Sequence, residues 1–339
     1  VLQSKKILVV GDLMIDRYLY GTASRISQEA PVVVVRVGNV HEVLGGAANV
    51  AANFADLGCS VTLVGAVGRD SEGQSLLNLC AEKGIVTNVL KLDSVPTIVK
   101  TRVISDGQHV VRIDREEDFR KASNYEDFLR FVREVDDNYD AVMLIDYSKG
   151  TLSSETARFL IEKFQERFVA ADFRPEHVDF YRGVCTVSPN FEEARRICNS
   201  EDLVVICNHL KSRLNTKNVM ITLSEKGLFL YDSKGSMYRY PAHELVSIGR
   251  RHRLDVSGAG DTLLSVFTAL SVCGVSEQSA AWAANVAAAI VVNKLGTATC
   301  SYSELIGELR YDAPERVGAE LCGTSRSLVD SSVEGSVSS

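Results

Sequence analysis

The sequence predicts an α/β fold: a mostly parallel sheet flanked by helices, with a small second sheet beside it. Three observations carry this. Short β-branched runs alternate with longer helical patterns along most of the 339 residues. The runs are apolar almost without interruption, as strands buried on both faces are. Two segments, 30–43 and 96–116, break the alternation with consecutive strand-like runs and no helix between them.

In chain order, "KILVV" (6–10) is the first strand. Its apolar run is too short for a signal peptide and ends at once in Gly11 and Asp12. A helix follows at 45–58, a strand at 61–68 and a helix at 72–84. The segment 96–116 reads as a hairpin turning at "SDGQ" (105–108). Val99, Lys100, Thr101, Arg102 and Val103 alternate apolar and polar residues, which predicts one dry and one wet face. Together with 30–43 the hairpin suggests a small antiparallel sheet, serving as a lid or a dimer contact. Strands are then expected at 141–145, 168–172, 184–188, 218–223 and 227–232, and helices at 153–168, 191–199 and after Asp261. The Ser-rich stretch 323–339 reads as a disordered tail.

Composition excludes several classes. With 45% hydrophobic and 24% charged residues, the chain has material for a large core. A net charge of −7 and no long basic run argue against a nucleic-acid partner. No stretch is apolar enough to predict a membrane span. Eight scattered cysteines without Cys-x-x-Cys suggest neither a metal cluster nor a disulfide framework, and fit a reducing cytoplasm.

Three motifs carry chemistry. Gly258-Ala259-Gly260-Asp261 opens a helix. Glycines let a ligand approach the backbone, and the first-turn N–H groups attract anions. Asp261 is expected to stay ionised there, favoured by the helix dipole, and to accept a proton from an alcohol. It could equally be a simple first-turn carboxylate. Gly45-Gly46 opens a helix of small residues with Asn49 in its first turn, which suits either a hydroxyl ligand or close helix–sheet packing. In "SPNFEEA" (188–194), Asn190 and Glu193 fit a capping box, and also a pair organising Mg²⁺ and phosphate through water. Neither a Rossmann fingerprint nor a P-loop is present.

In this order the motifs resemble the ribokinase/PfkB family of sugar kinases, from about residue 6 to 309. Further stretches resemble its bacterial heptose-7-phosphate kinase branch: "VVGDLMIDRYLYG" (9–21), "SRISQEAPV" (24–32), "DYSKGTLS" (146–153), "TLSEKGLFL" (222–230) and "NKLGTATCS" (293–301). The resemblance implies a ribokinase-like kinase domain at 1–310, with lid segments at about 12–44 and 96–116, and an extension at 311–339. It implies Asp261 as catalytic base, with Gly258, Ala259 and Gly260 as anion hole. Asn190 and Glu193 would serve Mg–ATP, Glu193 reaching the metal through water. Thr222, Ser224, Gly227 and Asn285 would lie beside the nucleotide, and Asp16, Gly45, Gly46 and Asn49 beside the sugar. Lys100, Arg102, Arg112 and Lys149 are candidates for a sugar phosphate, because Arg and Lys are the usual phosphate partners.

The implied activity is ATP-dependent phosphorylation of the anomeric hydroxyl of D-glycero-D-manno-heptose 7-phosphate. Mg²⁺ is implied as cofactor, with K⁺ as a further candidate, and a homodimer through the lid as assembly. Other PfkB-type substrates, and a non-catalytic sugar- or nucleotide-binding regulator on the same fold, remain alternatives. Two departures stand out: Val256 replaces the usual Thr of the signature, and "ADFRPEH" (171–177) replaces a "D-P-K-G" pattern, leaving Asp172 without a clear role. No second, nucleotidyltransferase-like segment follows, so a kinase-only form is expected.

Overall fold

Strand β1 (Lys6–Gly11) shows how the molecule is built. Ile7 and Val9 point into one apolar core, Leu8 and Val10 into the other. This two-residue alternation makes a strand with two dry faces, and it needs helices on both. The computed structural model describes residues 1–117, 119, 125–245 and 256–312; the predicted tail lies outside the described residues.

The main sheet has nine strands in the order β13-β12-β11-β10-β9-β8-β1-β4-β5. Here β4 is Ser60–Gly68, β5 Val86–Leu92, β8 Ala141–Ile145 and β9 Phe168–Asp172. Next come β10 (Thr186–Val187), β11 (Asn218–Thr222), β12 (Leu228–Tyr231) and β13 (Met237–Tyr240). Pairing is parallel from β5 to β11 and antiparallel through β12 and β13.

Helices α1 (Ala47–Asp56), α7 (Ala259–Ser271) and α8 (Glu277–Val292) contribute to the first core. Helices α4 (Ser154–Lys163) and α6 (Leu203–Leu214) contribute to the second. The remaining helices are α2 (Ser71–Glu82), α3 (Tyr125–Arg133), α5 (Phe191–Cys198) and α9 (Tyr302–Asp312). Side chains cap α2, α4, α5, α6 and α8 at Asp70, Ser153, Asn190, Asp202 and Ser276. By contrast, α1 and α7 begin at Gly46 and Gly258 with no side-chain cap. The first turns of these two helices touch, Asn49 of α1 donating to Asp261 of α7.

The second sheet has four strands in the order β3-β2-β6-β7: β2 is Leu13–Ile26, β3 Val33–Gly46, β6 Ile98–Ser105 and β7 Gln108–Arg115. It differs from expectation in two ways. It is mixed rather than antiparallel, because β2 and β6 run parallel; the chain between β3 and β6 makes a crossover through α1, β4, α2 and β5. And β7 is exposed at every position, so this half of the hairpin has no dry face. The turn itself is as predicted, with positive φ at Asp106 and Gly107. Two strands of the main sheet were not foreseen, β5 and β13, both at its edges; β2 lies in the implied lid range but was not itself read as a strand.

Candidate functional site

The site opens where α1 and α7 begin. Asp261, in the first turn of α7, is 6% exposed. Its Oδ2 accepts from Asn49 Nδ2 at 2.8 Å, and its Oδ1 accepts from the Tyr147 hydroxyl at 2.9 Å. Burial pushes its carboxyl up from 3.8 to about 6, against those two hydrogen bonds, which pull it down; Asp16 adds repulsion and Arg174 attraction. Asp261 is therefore ionised at neutral pH, but the expected reason was incomplete: desolvation works against the charge, and specific donors hold it.

The glycines have separable causes. Gly258 has φ +78°, and a Cβ there would lie 2.9 Å from Asn49 Nδ2. Gly260 has no atom within 4 Å of a notional Cβ, so it faces open space rather than packing. Gly45 lets β2 approach closely, since a Cβ would meet Asp16 Oδ2 at 2.7 Å. Gly46 takes φ +56° at the strand-to-helix corner.

Asp16 forms the floor on the lid side. It pairs with Arg102 in a short contact and accepts from Thr297 Oγ1 at 2.9 Å. Arg102 lies over the Tyr18 ring at 5.3 Å. Lys100, two residues earlier on β6, sits 5.8 Å from the centroid of the Tyr147 ring. Burial lowers the Lys100 pKa, and the charge of Lys149 lowers it further. Lys149 Nζ itself pairs with Glu116 at 2.7 Å. Thus Lys100, Arg102 and Lys149 gather near the lid base. Arg112, opposite Arg102 on β7, is more than half exposed and bonds Asp114 at 2.9 Å.

On the other side, Asn190 and Glu193 form the capping box of α5. Glu193 Oε1 also accepts from Arg174 at 2.6 Å. Asn190 bridges Thr222, and the turn beyond holds Ser224 at φ +53° and Gly227 at φ +90°. Asn285 Nδ2 donates to the carbonyl of Pro241 at 2.7 Å, and Pro241 lies against Gly227. Asp172, left without a role by the sequence, belongs here: burial raises its pKa well above 3.8, and the charges of Asp261 and Glu193 add to that. Arg174 stands among these acids and carries the opposing charge. Asn190 and Glu193 carry hard oxygen donors of the kind a divalent cation takes; among the described residues no three His, Cys, Asp or Glu side chains form a metal cluster.

The protein-family model for pfkB family carbohydrate kinases matches residues 4–304. The chain belongs to that family. This pfkB-family chain is 39% identical over 306 residues to bifunctional protein HldE of Histophilus somni, covering 88% of this chain and 62% of that protein. HldE of Magnetococcus marinus is 39% identical over 321 residues, 91% of this chain and 65% of that protein. The chain thus spans less than two thirds of the length of these relatives. Among solved structures, Arabidopsis thaliana ribokinase with ribose and ATP superposes with a TM-score of 0.67 at 20% identity, covering 90% of this chain and 98% of that one. Escherichia coli phosphofructokinase-2 gives 0.72 at 17% identity, covering 91% and 98%. These likenesses show the ribokinase-like fold.

Sequence reasoning missed Tyr147, Arg174 and Thr297. Tyr147 and Thr297 lie in stretches that carried the family resemblance, "DYSKGTLS" and "NKLGTATCS". Nothing local pointed to their contacts, which join residues 114 and 281 positions apart.

Proposed function

We propose that this carbohydrate kinase transfers phosphate from ATP to the anomeric hydroxyl of D-glycero-D-manno-heptose 7-phosphate, giving the 1,7-bisphosphate for ADP-heptose and lipopolysaccharide-core synthesis. The observation that carries the reading is the distribution of charge around Asp261. On the lid side of this buried base lie Lys100, Arg102 and Lys149, with Asp16 and Glu116 as partners of the last two, and on the other side Asp172 and Glu193 with Arg174. Lys100 and Lys149 crowd each other, and the remote phosphate of a sugar phosphate would relieve that repulsion. The relatives named HldE support the heptose class.

Asp16, Asn49 and Thr297 hold the sugar hydroxyls, and Asp261 takes the proton of the attacking one. The uncapped start of α7 turns its first N–H groups toward the transferring group. Mg–ATP, when bound, supplies the phosphoryl group and neutralises part of its charge. Asn190 and Glu193 would hold the metal, which would neutralise phosphate charge, while Thr222, Ser224, Gly227 and Asn285 shape the nucleotide side. K⁺ is a candidate activator. The kinase unit runs to about residue 310, in the cytoplasm. Exposed Val110, Val111 and Ile113 on β7 support a homodimer through the lid, which sedimentation would test.

The deciding experiment is a panel of free and phosphorylated sugars with ATP consumption as readout. Heptose 7-phosphate should be turned over far better than free heptose. Equal turnover would refute the heptose-phosphate assignment, and no ATP consumption with any sugar would favour a binding regulator.

A further inference from the structure

Tyr147 is held more firmly than packing alone requires. It follows β8 in the loop 146–151. Its N–H and that of Lys149 donate to Asp12 Oδ2 at 2.8 and 3.0 Å, and the N–H of Thr151 donates to Asp12 Oδ1 at 3.1 Å. Asp12 is fully buried, and its carboxyl ties the loop to the end of β1 by three hydrogen bonds. Asp146 secures the other flank. Its carboxylate accepts from Ser148 N, pairs with His177 Nδ1 and accepts from the Tyr181 hydroxyl, all at 2.7 Å. Ser148 itself is fixed at φ +60°.

What this loop presents is the Tyr147 side chain. The hydroxyl donates to Asp261 Oδ1, and the ring lies 5.0 Å from Arg174 Cζ as well as near Lys100. Each oxygen of Asp261 therefore has one donor, Asn49 on one and Tyr147 on the other, and keeps a lone pair for the substrate proton. The charged groups around this carboxylate are Asp16 from β2, Arg174 after β9 and Asp172 at the end of β9. Two of these three are acids, so the anion depends on its neutral donors.

We propose that Tyr147 is a positioning residue for phosphoryl transfer: its hydroxyl orients the Asp261 carboxylate and sets its basicity, and the Asp12-anchored loop exists to place it. The inference rests on reading Asp261 as the base. Removing the hydroxyl while keeping the ring preserves the stacking with Lys100 and Arg174 and deletes only the bond to Oδ1. The carboxylate then loses one of two donors in a buried site, so its proton affinity must rise.

The test is Tyr147→Phe, followed by carboxyl ¹³C NMR titration of the unliganded protein. The Asp261 resonance is assigned by its loss in Asp261→Asn. The Asp261 midpoint should rise by about one pH unit in Tyr147→Phe. 3-Fluorotyrosine inserted at 147, a stronger donor, should lower it. In turnover, the acid limb of the pH–kcat profile should move with the midpoint, kcat at pH 7.5 should fall on the order of tenfold, and KM for ATP should stay unchanged. Coincident titrations in wild type and Tyr147→Phe would overturn the proposal. A shifted midpoint in a protein that phosphorylates no sugar would leave Tyr147 orienting Asp261 and refute the kinase reaction instead.

Discussion

Replacing Asp261 by Asn should stabilise the protein at alkaline pH and abolish its chemistry at the same time. The carboxyl sits at about 6 instead of its ordinary 3.8, chiefly because it is buried. A folded state that raises a carboxyl pKa binds the proton more tightly than the unfolded chain does. The resulting cost is absent below about pH 4, grows between the two values, and is complete above about pH 6. At about 1.4 kcal/mol per pH unit it amounts to on the order of 3 kcal/mol. Asn carries no charge, so it escapes this cost. It also turns an amide donor toward Asn49 or Tyr147, which subtracts about 1–2 kcal/mol at every pH. Asp261→Asn should therefore melt a few degrees above wild type at pH 8 and at or below it at pH 4.5. Scanning calorimetry at several pH values, with no ligand present, reads this directly. Turnover should fall by roughly 10²–10⁴-fold. A melting difference independent of pH would refute the argument that burial strains this charge, and near-wild-type turnover would remove Asp261 as the base.

Lys100→Ala should raise KM for the phosphorylated sugar by about tenfold, the scale of one charged hydrogen bond, and leave KM for ATP nearly unchanged in initial-rate kinetics. Asn190→Ala removes the side chain that accepts from Glu193 N at 2.9 Å and should cost about 1 kcal/mol in urea denaturation. Gly227→Ala would place a Cβ 2.0 Å from the carbonyl oxygen of Tyr240 at φ +90°; a loss of more than about 3 kcal/mol is expected, read as a lower urea midpoint.

The fold was legible where physics acts locally. Strands β1 and β8, dry on both faces, read as unbroken apolar runs. Strand β5 did not, because as an edge strand it mixes exposed and half-buried positions, and β13 is only four residues long. The parallel pairing of β2 with β6 was invisible, since it follows from the path of the chain between them and not from either strand's pattern. In the site, glycines and Asp261 announced themselves by type and spacing. Tyr147 did not: a lone tyrosine after a strand has no signature, and its role depends on how β8 and α7 are brought together.

The same limit applies to the acids along the carboxyl edge of the sheet. Asp12, Asp146 and Asp172 follow or end β1, β8 and β9, which are neighbours in the sheet. By residue type and position they are equivalent, yet their partners separate them. The Asp12 carboxyl bonds three backbone N–H groups, and the Asp146 carboxyl a backbone N–H, a histidine and a tyrosine. Both are thereby committed to holding one loop. Asp172 lies near Asp261 and Glu193, two more acids, and near Arg174, which supplies the opposing charge. The loop that the first two acids hold is the one that delivers a hydroxyl to Asp261, so the scaffold carboxylates act on the base at one remove, through Tyr147.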